Sequence, residues 1–351
     1  MKAKHVLCVV LPLVLAACLV CACVGGPGFA LFGGNSSGSS SGSSSESSPK
    51  KVFGDFYYTI QGSEGAQTVT IAGYAGTGGA AEIPESIEDL PVRAIAKDAF
   101  DKCVSLTSLT IPASVVVIAL VFDKAEDAFD GATGLTNITV NEENTVYASE
   151  GGILFNKDKT SLLFCPEGKS GSYTIPSSVN RIVYCAFEGC ARLASVTIPD
   201  SVTSIVQNAF RNCTGLTSIT IPGSVKTIGG GTMSEDNLHG AFLGCTGLET
   251  VTISEGVTSI GVGAFAFCQN LTSIKIPNSV TYIGGNAFGA CSKLTSVTVS
   301  PVNGRKWDVE VAGTRTGEGF MAKWVFQSCP LDNASKTALR NAGYPTNEGK
   351  F

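Results

Sequence analysis

The ten residues Cys213–Pro222, CTGLTSITIP, carry the organisation of the whole chain. They return as CVSLTSLTIP at Cys103–Pro112, CARLASVTIP at Cys190–Pro199 and CQNLTSIKIP at Cys268–Pro277. The apolar residue that closes this run recurs at Ile175, Ile198, Ile221, Ile253, Ile276 and Val299, in steps of 23, 23, 32, 23 and 23 residues. An Ala-Phe-x-x-Cys element keeps the same step, with Phe187, Phe210, Phe242, Phe265 and Phe288. Phe100 and Cys103 open the series, Phe129 belongs to it with Ala132 in the cysteine place, and Phe326 with Cys329 is a degenerate later copy. Self-similarity at such a period marks a repeat architecture, so dividing 351 residues into domains of average size has no meaning here.

The unit reads C-x-x-L-x-x-I-x-I-P-x-S-V-x-x-I-x-x-x-A-F-x-x, and Leu216, Ile219, Ile221, Val225, Ile228, Phe242 and Cys245 carry its apolar places in one copy. Ile219 and Ile221 flank Thr220 in strict alternation, which is the period of a strand and not of a helix. Proline donates no ladder hydrogen bond, so Pro222 ends the strand. A single unit of 23 residues cannot bury seven apolar side chains, whereas stacked units can, each coil adding a strand about 4.8 Å along a parallel sheet.

These residues resemble the BspA-like, Treponema-type leucine-rich repeats, whose unit runs close to LxxLxLPxxLxxIxxxAFxxC. The resemblance covers about Val52–Cys329. It implies a curved leucine-rich repeat solenoid, mainly short parallel β-strands on one face with turns or 3₁₀ segments on the other. It also implies a secreted or lipid-anchored surface protein, since several relatives are linked to adhesion to host matrix proteins and other cells.

The N-terminus fits that setting. Residues 1–17 read as a signal peptide: Lys2 and Lys4 precede an apolar run, Val6–Ala17, too short to span about 30 Å of hydrocarbon. Leu15-Ala16-Ala17-Cys18 resembles the bacterial lipobox, which makes Cys18 the expected lipidated residue and the mature N-terminus. Val20-Cys21-Ala22-Cys23 is a weaker second lipobox, and ordinary cleavage is the alternative to both. Residues 18–49 then form the anchor and a tether, in which Gly33–Ser48, GGNSSGSSSGSSSESS, reaches about 20–25 Å as a coil.

Residues 50–92 are expected to be an N-terminal β cap, with strands at Phe56–Ile60 and Thr68–Ala72 and an irregular first coil containing Ile83-Pro84 and Pro91-Val92. The solenoid occupies 93–329, with insertions at about 141–172 and 229–240. The first insertion reads as a β-hairpin projecting from the stack, and the second, GGGTMSEDNLHG, as a polar excursion. Residues 300–351 hold a degenerate last coil and a C-terminal cap. There Trp307–Val311 is expected to be a strand, and a short helix capped by Asp332 or Asn333 runs through Asn341 to a stop at Gly343.

Composition narrows the function. With 44% hydrophobic and 15% charged residues the chain is not broadly disordered. Removing Met1–Ala17 takes the net charge from −5 to −7, and no basic cluster remains to neutralise phosphates, so nucleic acid is not an expected partner. Four of 13 cysteines lie in Met1–Cys23, and seven of the other nine (Cys103, Cys190, Cys213, Cys245, Cys268, Cys291, Cys329) hold one repeat position. Stacking sets such side chains about 5 Å apart, wider than the roughly 3.8 Å Cβ separation of a disulfide, so a buried thiol ladder is expected. Cys165 and Cys185 lie off the ladder, and the sequence leaves their pairing open. The one histidine beyond the signal peptide is His239, preceded by Glu235 and Asp236 in what reads as a solvated loop. It has no partners at metal-binding or catalytic spacing, and no phosphate-binding glycine motif occurs. No enzyme activity, cofactor, metal or small-molecule substrate is expected.

Strand positions that alternate outward form two polar ladders: Ser108/Thr110, Asn137/Thr139, Ser195/Thr197, Ser218/Thr220, Thr250/Thr252, Ser273/Lys275 and Ser296/Thr298. Thr197, Thr220, Thr252, Lys275 and Thr298 are candidate binding residues on this strip, joined by Trp307 and by His239 in its loop. Threonine is also what a half-exposed strand favours, and hot spots are usually Trp, Tyr or Arg. The inserted loops and Tyr57, Tyr58, Trp307 and Trp324 near the ends are therefore equal candidates. The expected function is a lipid-anchored surface protein whose solenoid binds a host extracellular matrix or other cell-surface protein, with the membrane as second partner. An envelope or coat component without a dedicated ligand is the alternative.

Overall fold

Backbone pairing follows the repeat. The computed structural model describes residues 50–120, 128–229, 239–299, 308–310, 320–322 and 325–341. The chain divides into two units, Met1–Lys51 and Val52–Phe351, and the architecture below is that of the second.

The L-x-x-I-x-I segments are parallel strands, as expected. Leu106–Ile111 lies between Gly79–Glu82 and Asn137–Val140. Gly171–Thr174, Leu193–Thr197, Ser218–Ile221 and Thr250–Ile253 form a four-stranded sheet, and Ser273–Ile276 pairs with Ser296–Val299. Register matches like with like: Ile219 faces Val251 and Ile221 faces Ile253. In Ser218–Ile221 and Thr250–Ile253 the aliphatic residues are buried and the hydroxyl residues that alternate with them exposed.

The other face carries turns, as expected, with short strands beside them. The x-I dipeptides Arg181–Ile182, Ser204–Ile205, Thr227–Ile228, Ser259–Ile260 and Tyr282–Ile283 pair successively as two-residue parallel strands, and no 3₁₀ segment occurs among the described residues. Identical positions stacked one coil apart bring amides and carbonyls into reach, so even two extended residues become a ladder and satisfy their backbone groups. The Ala-Phe turns join coils in the same way. Phe187 N donates to Ala209 O at 2.7 Å, Phe210 N to Ala241 O at 2.7 Å and Phe265 N to Ala287 O at 2.7 Å.

Inside, the phenylalanine rings form one stack. From Phe187 through Phe210, Phe242, Phe265 and Phe288 to Phe326, centroids lie between 4.7 and 5.4 Å apart and planes within 8° of parallel. That spacing is the rise of one coil.

The insertion at 141–172 does not project. Tyr147–Glu150, Ile153–Asn156 and Ser161–Phe164 pair antiparallel, and the middle strand is a wall between two cores. Ile153 and Phe155 enter the core that runs on to Leu339, whereas Leu154 joins the core that runs back to Phe56. Apolar residues at consecutive places, ILF, need two apolar environments, which a hairpin in water would not supply. Beyond it lies a shortened coil. Ser161–Leu162 pairs parallel with Arg181–Ile182, Cys165 N donates to Ala186 O at 2.7 Å, and the Phe164 ring stacks on Phe129 at 4.9 Å.

At the N-terminal end Phe56–Gln61 and Thr68–Tyr74 pair antiparallel, and the second pairs parallel with Leu90–Ile95. At the other end Asp308–Glu310 and Phe320–Ala322 continue the narrow sheet from Tyr282–Ile283. The helix spans Asn333–Asn341. The Asp332 carboxylate accepts from Ser335 N at 2.6 Å, and the buried Ser335 Oγ accepts from Val297 N at 2.8 Å, docking the helix on the last broad strand. Gly343 lies outside the described residues.

Because the Phe210 ring is fully buried between two others, Phe210→Ala is expected to cost about 3–5 kcal/mol in urea unfolding. A loss below about 1 kcal/mol would contradict its place in the stack.

Candidate interaction surface

The strip residues fall into place on the broad strands. Thr197, Thr220, Thr252, Lys275 and Thr298 are all exposed, and Thr174 faces Thr197, Thr220 faces Thr252 and Lys275 faces Thr298. In a second column Ser195 donates to Ser172 Oγ at 2.8 Å. From Thr174 to Thr298 Lys275 is the one charge in the threonine column. The narrow sheet carries hydroxyls as well. Thr203, Thr258 and Thr281 donate through Oγ1 to Asn180, Lys226 and Thr258 carbonyls at 3.3, 2.9 and 3.2 Å. Hydroxyl rows on both faces follow from strand chemistry, so the broad face is distinguished by its longer exposed strands and not by its threonines.

Of the other candidates, Trp307, Trp324 and Cys18 lie outside the described residues. Tyr57 is 38% exposed, but Tyr58 belongs to the core, with 2% exposure and its hydroxyl donating to Glu88 at 2.8 Å. His239 is not in a solvated setting. It is half-buried, with Nδ1 3.2 Å from Asn208 Nδ2 and 3.4 Å from the Tyr184 hydroxyl, while Asn208 Nδ2 donates to that hydroxyl at 2.9 Å. These three residues come from three coils and hold the start of successive Ala-Phe turns together. No group of three or more metal-ligating side chains occurs among the described residues.

Sequence reasoning missed Phe267, which is 48% exposed at φ +60°. Its signal was present: Phe267 stands in the second x of Ala-Phe-x-x-Cys, where other copies carry Gly189, Asn212 and Gly244, also left-handed.

The ladder thiols are built into the core. Cys213, Cys245, Cys268, Cys291 and Cys329 donate to the preceding coil's Phe carbonyl at 3.0, 3.0, 3.3, 3.2 and 2.9 Å. Burial pushes the Cys190, Cys213 and Cys268 thiols well above their ordinary range, so they stay protonated as donors.

On the turn after the broad strands, carboxylates clamp main-chain amides. Glu85 accepts from Ala113 N and Ser114 N at 2.9 Å each, and Glu255 from Asn278 N and Ser279 N at 3.1 Å each. Burial opposes ionisation of Glu85, but these amides and Arg93 outweigh it and hold the carboxyl below its ordinary value. At Glu255 the Asn278 amide leads the same downward shift.

Comparison with known proteins places this geometry. The family model for the BspA type leucine rich repeat region matches in six copies, over residues 84–156, 161–239 and 238–305. Among solved structures, a leucine-rich repeat protein from Eubacterium ventriosum is 18% identical with a TM-score of 0.49, covering 86% of this chain and 99% of that one. A leucine rich cell surface protein from Faecalibacterium prausnitzii is 21% identical with a TM-score of 0.41, covering 86% and 94%. The leucine rich repeat protein of T. pallidum is 26% identical with a TM-score of 0.34, covering 70% and 91%. A search of curated proteins gives no significant match.

Two outcomes follow from the buried and clamped groups. In the native protein Cys213 and Cys268 should resist alkylation by iodoacetamide and react only on unfolding; rapid native labelling would place them at the surface. The Glu85 carboxyl is depressed below 4.5, so its contribution to stability is complete above that value and lost as pH falls through and beneath it. Urea midpoints measured from about pH 6 to about pH 3 should accordingly fall less steeply in Glu85→Gln than in the wild type.

Proposed function

Since the chain belongs to the BspA-type leucine-rich repeat family, we propose that its solenoid is a protein-interaction module, held at the cell surface by a lipid on Cys18 and used in adhesion to a host extracellular matrix or other cell-surface protein. The observation that carries this reading is the run of exposed broad strands from Gly171 to Val299, four paired in one sheet and two in a second, with little charge. Such a face is stiff before any partner arrives, so little ordering cost attends contact with it.

Size sets what the partner must do. Four residues at about 3.3 Å by about 4.8 Å of rise give about 60 Å² per coil, or roughly 380 Å² for the six strands of this run. A standard interface takes about 800 Å² from each side. A partner seated on the broad face therefore extends over neighbouring turns or inserted loops. The anchor reading draws on the lipobox-like Leu15–Cys18 and the Gly/Ser tether behind it, with lipid chains contributing about 0.8 kcal/mol per buried CH₂.

Replacing Cys18 by Ser should move the protein from the membrane fraction to the soluble one with an unchanged circular dichroism spectrum. Unchanged fractionation would remove Cys18 as the lipidated residue. The full chain, immobilised, should retain a protein from host extracellular matrix extract, and the double change Thr220→Arg/Thr252→Arg should reduce retention by about tenfold or more. Ordered self-association at high concentration with nothing retained would favour a coat component instead.

A further inference from the structure

Five broad strands run into a turn of the form Pro-x-Ser-Val, whose x and Ser amides lie outside the strand ladders. Two of these amide pairs, Ala113/Ser114 and Asn278/Ser279, are gripped by a carboxylate, one oxygen to each amide. In both cases the carboxylate is a glutamate at the x place of the preceding coil: Glu85 follows Ile83-Pro84, and Glu255 follows Ile253-Ser254. The chain thus displays, twice, which ligand this backbone geometry takes.

Three turns between them have the same backbone and no such cap. Val179, Val202 and Val225 donate to Pro176, Pro199 and Pro222 carbonyls at 3.0, 3.0 and 3.1 Å, as Val280 does to Pro277 at 3.2 Å in a capped turn. Yet the amides of Ser177/Ser178, Asp200/Ser201 and Gly223/Ser224 donate to no protein acceptor among the described residues. The reason is the residue one coil earlier. Ser177 precedes Asp200/Ser201, and Asp200, one methylene shorter than glutamate, precedes Gly223/Ser224. All six residues are exposed or half-exposed, and successive pairs lie about one coil rise, 4.8 Å, apart. Lys226 adds positive charge beside the last pair, its ammonium donating to Gly223 O at 3.0 Å and Gly256 O at 3.2 Å. Asp200 opposes it.

We infer that this edge, Ser177 to Ser224, is a receptor row for the carboxylates of an acidic peptide segment of a partner protein. Hydrogen bonds from amides to an ionised carboxylate are stronger than neutral ones, and two per carboxylate fix its orientation. The groups seated on the capped turns are glutamyl side chains, which favours a peptide over a uronate polymer. Carboxylates three or four residues apart on a helix lie about 5–6 Å apart, close to the spacing of the turns. The inference rests on reading the solenoid as a protein-interaction module, and it supplies the neighbouring turns onto which a partner on the broad face would extend.

The test is fluorescence anisotropy of a labelled oligoglutamate decapeptide against the full chain at low ionic strength, with an oligoglutamine control. The glutamate peptide should bind at least about tenfold more tightly than the glutamine one. Ser177→Glu/Asp200→Glu fills two pairs from within, as Glu255 fills Asn278/Ser279, so it should weaken peptide binding about tenfold while raising the thermal midpoint. Ser177→Gln fills the Asp200/Ser201 pair with no change of charge and should weaken binding too. Asp200→Asn removes the opposing charge alone and should strengthen it. Equal affinity for both peptides, or wild-type affinity in both filled variants, overturns the inference. Loss in the glutamate variant alone would reduce the effect to general repulsion and overturns it also, as does preference for polygalacturonate over the peptide. Should the double variant fail to fold, Asp200→Glu carries the same expectation for the last pair. Failure here with matrix protein still retained on the broad face would leave the module reading intact; peptide binding with nothing retained would do the reverse.

Discussion

Register between consecutive coils is the constraint on which everything else in this molecule depends. From Ser161 on, consecutive coils are hydrogen-bonded at the two-residue strand and at the Ala-Phe turn, and also at the broad strand except between Thr250–Ile253 and Ser273–Ile276. Three separate ladders leave no freedom for one coil to slip past another, so every repeat position is stacked on its own copy. Side-chain columns follow from this without further specification. A phenylalanine column becomes a ring stack, a cysteine column a line of thiols each bonded to the carbonyl of the coil before, and a threonine column an exposed strip. Stability in such a stack is local and additive, and the terminal coils must be covered. The antiparallel Phe56–Gln61 strand and the helix at Asn333–Asn341 stand at those two ends.

The turn ladder explains a costly feature. In each Ala-Phe-x-x-Cys turn the second x takes a left-handed conformation, including Lys102 at φ +54°, Phe267 at +60° and Ala290 at +57°. A side chain there costs about 1–2 kcal/mol relative to the right-handed region. That same residue's amide, like that of the phenylalanine two places before it, reaches the next coil. Lys102 N donates to Asp130 O, Phe267 N to Gly289 O and Ala290 N to Gln327 O, at 2.8, 2.8 and 2.7 Å. The positive φ turns the amide out of its own coil and along the stack, so local strain is offset by a bond between coils. Glycine and asparagine meet the same demand at Gly189, Asn212 and Gly244 with less strain.

This also marks what was legible in the sequence and what was not. The period, the inward isoleucines, the phenylalanine column and the thiol column are properties of identical residues at identical places, and repetition makes those visible. The narrow sheet was not visible because two residues carry no alternation to read; Ser204–Ile205 becomes a strand only because Thr227–Ile228 is stacked beside it. The coil at Ser161–Cys165 was hidden because its phenylalanine arrives one residue before the main-chain position that Phe187 occupies, so the spelling changes while the ring still joins Phe129. For the strip, positions were legible but their meaning was not. His239 was misread because its partners Tyr184 and Asn208 are 55 and 31 residues away in sequence.

In a molecule whose columns are fixed by stacking, uniform columns say least about a ligand. A threonine repeated on the broad sheet and again on the narrow one is explained by the strand it sits in, whatever the protein binds. Information specific to this chain resides where a column is interrupted. Glu85 and Glu255 break the x column of the Pro-x-Ser turn and cap the amides one coil on, while Ser177 and Asp200 in that column leave theirs without a partner among the described residues. The contrast needs no change of backbone, only one or two methylenes and a charge. A solenoid can therefore acquire or lose a contact site by substitution at single exposed positions without disturbing the ladders that hold it together. Its stability and its recognition are then separable at the level of individual residues.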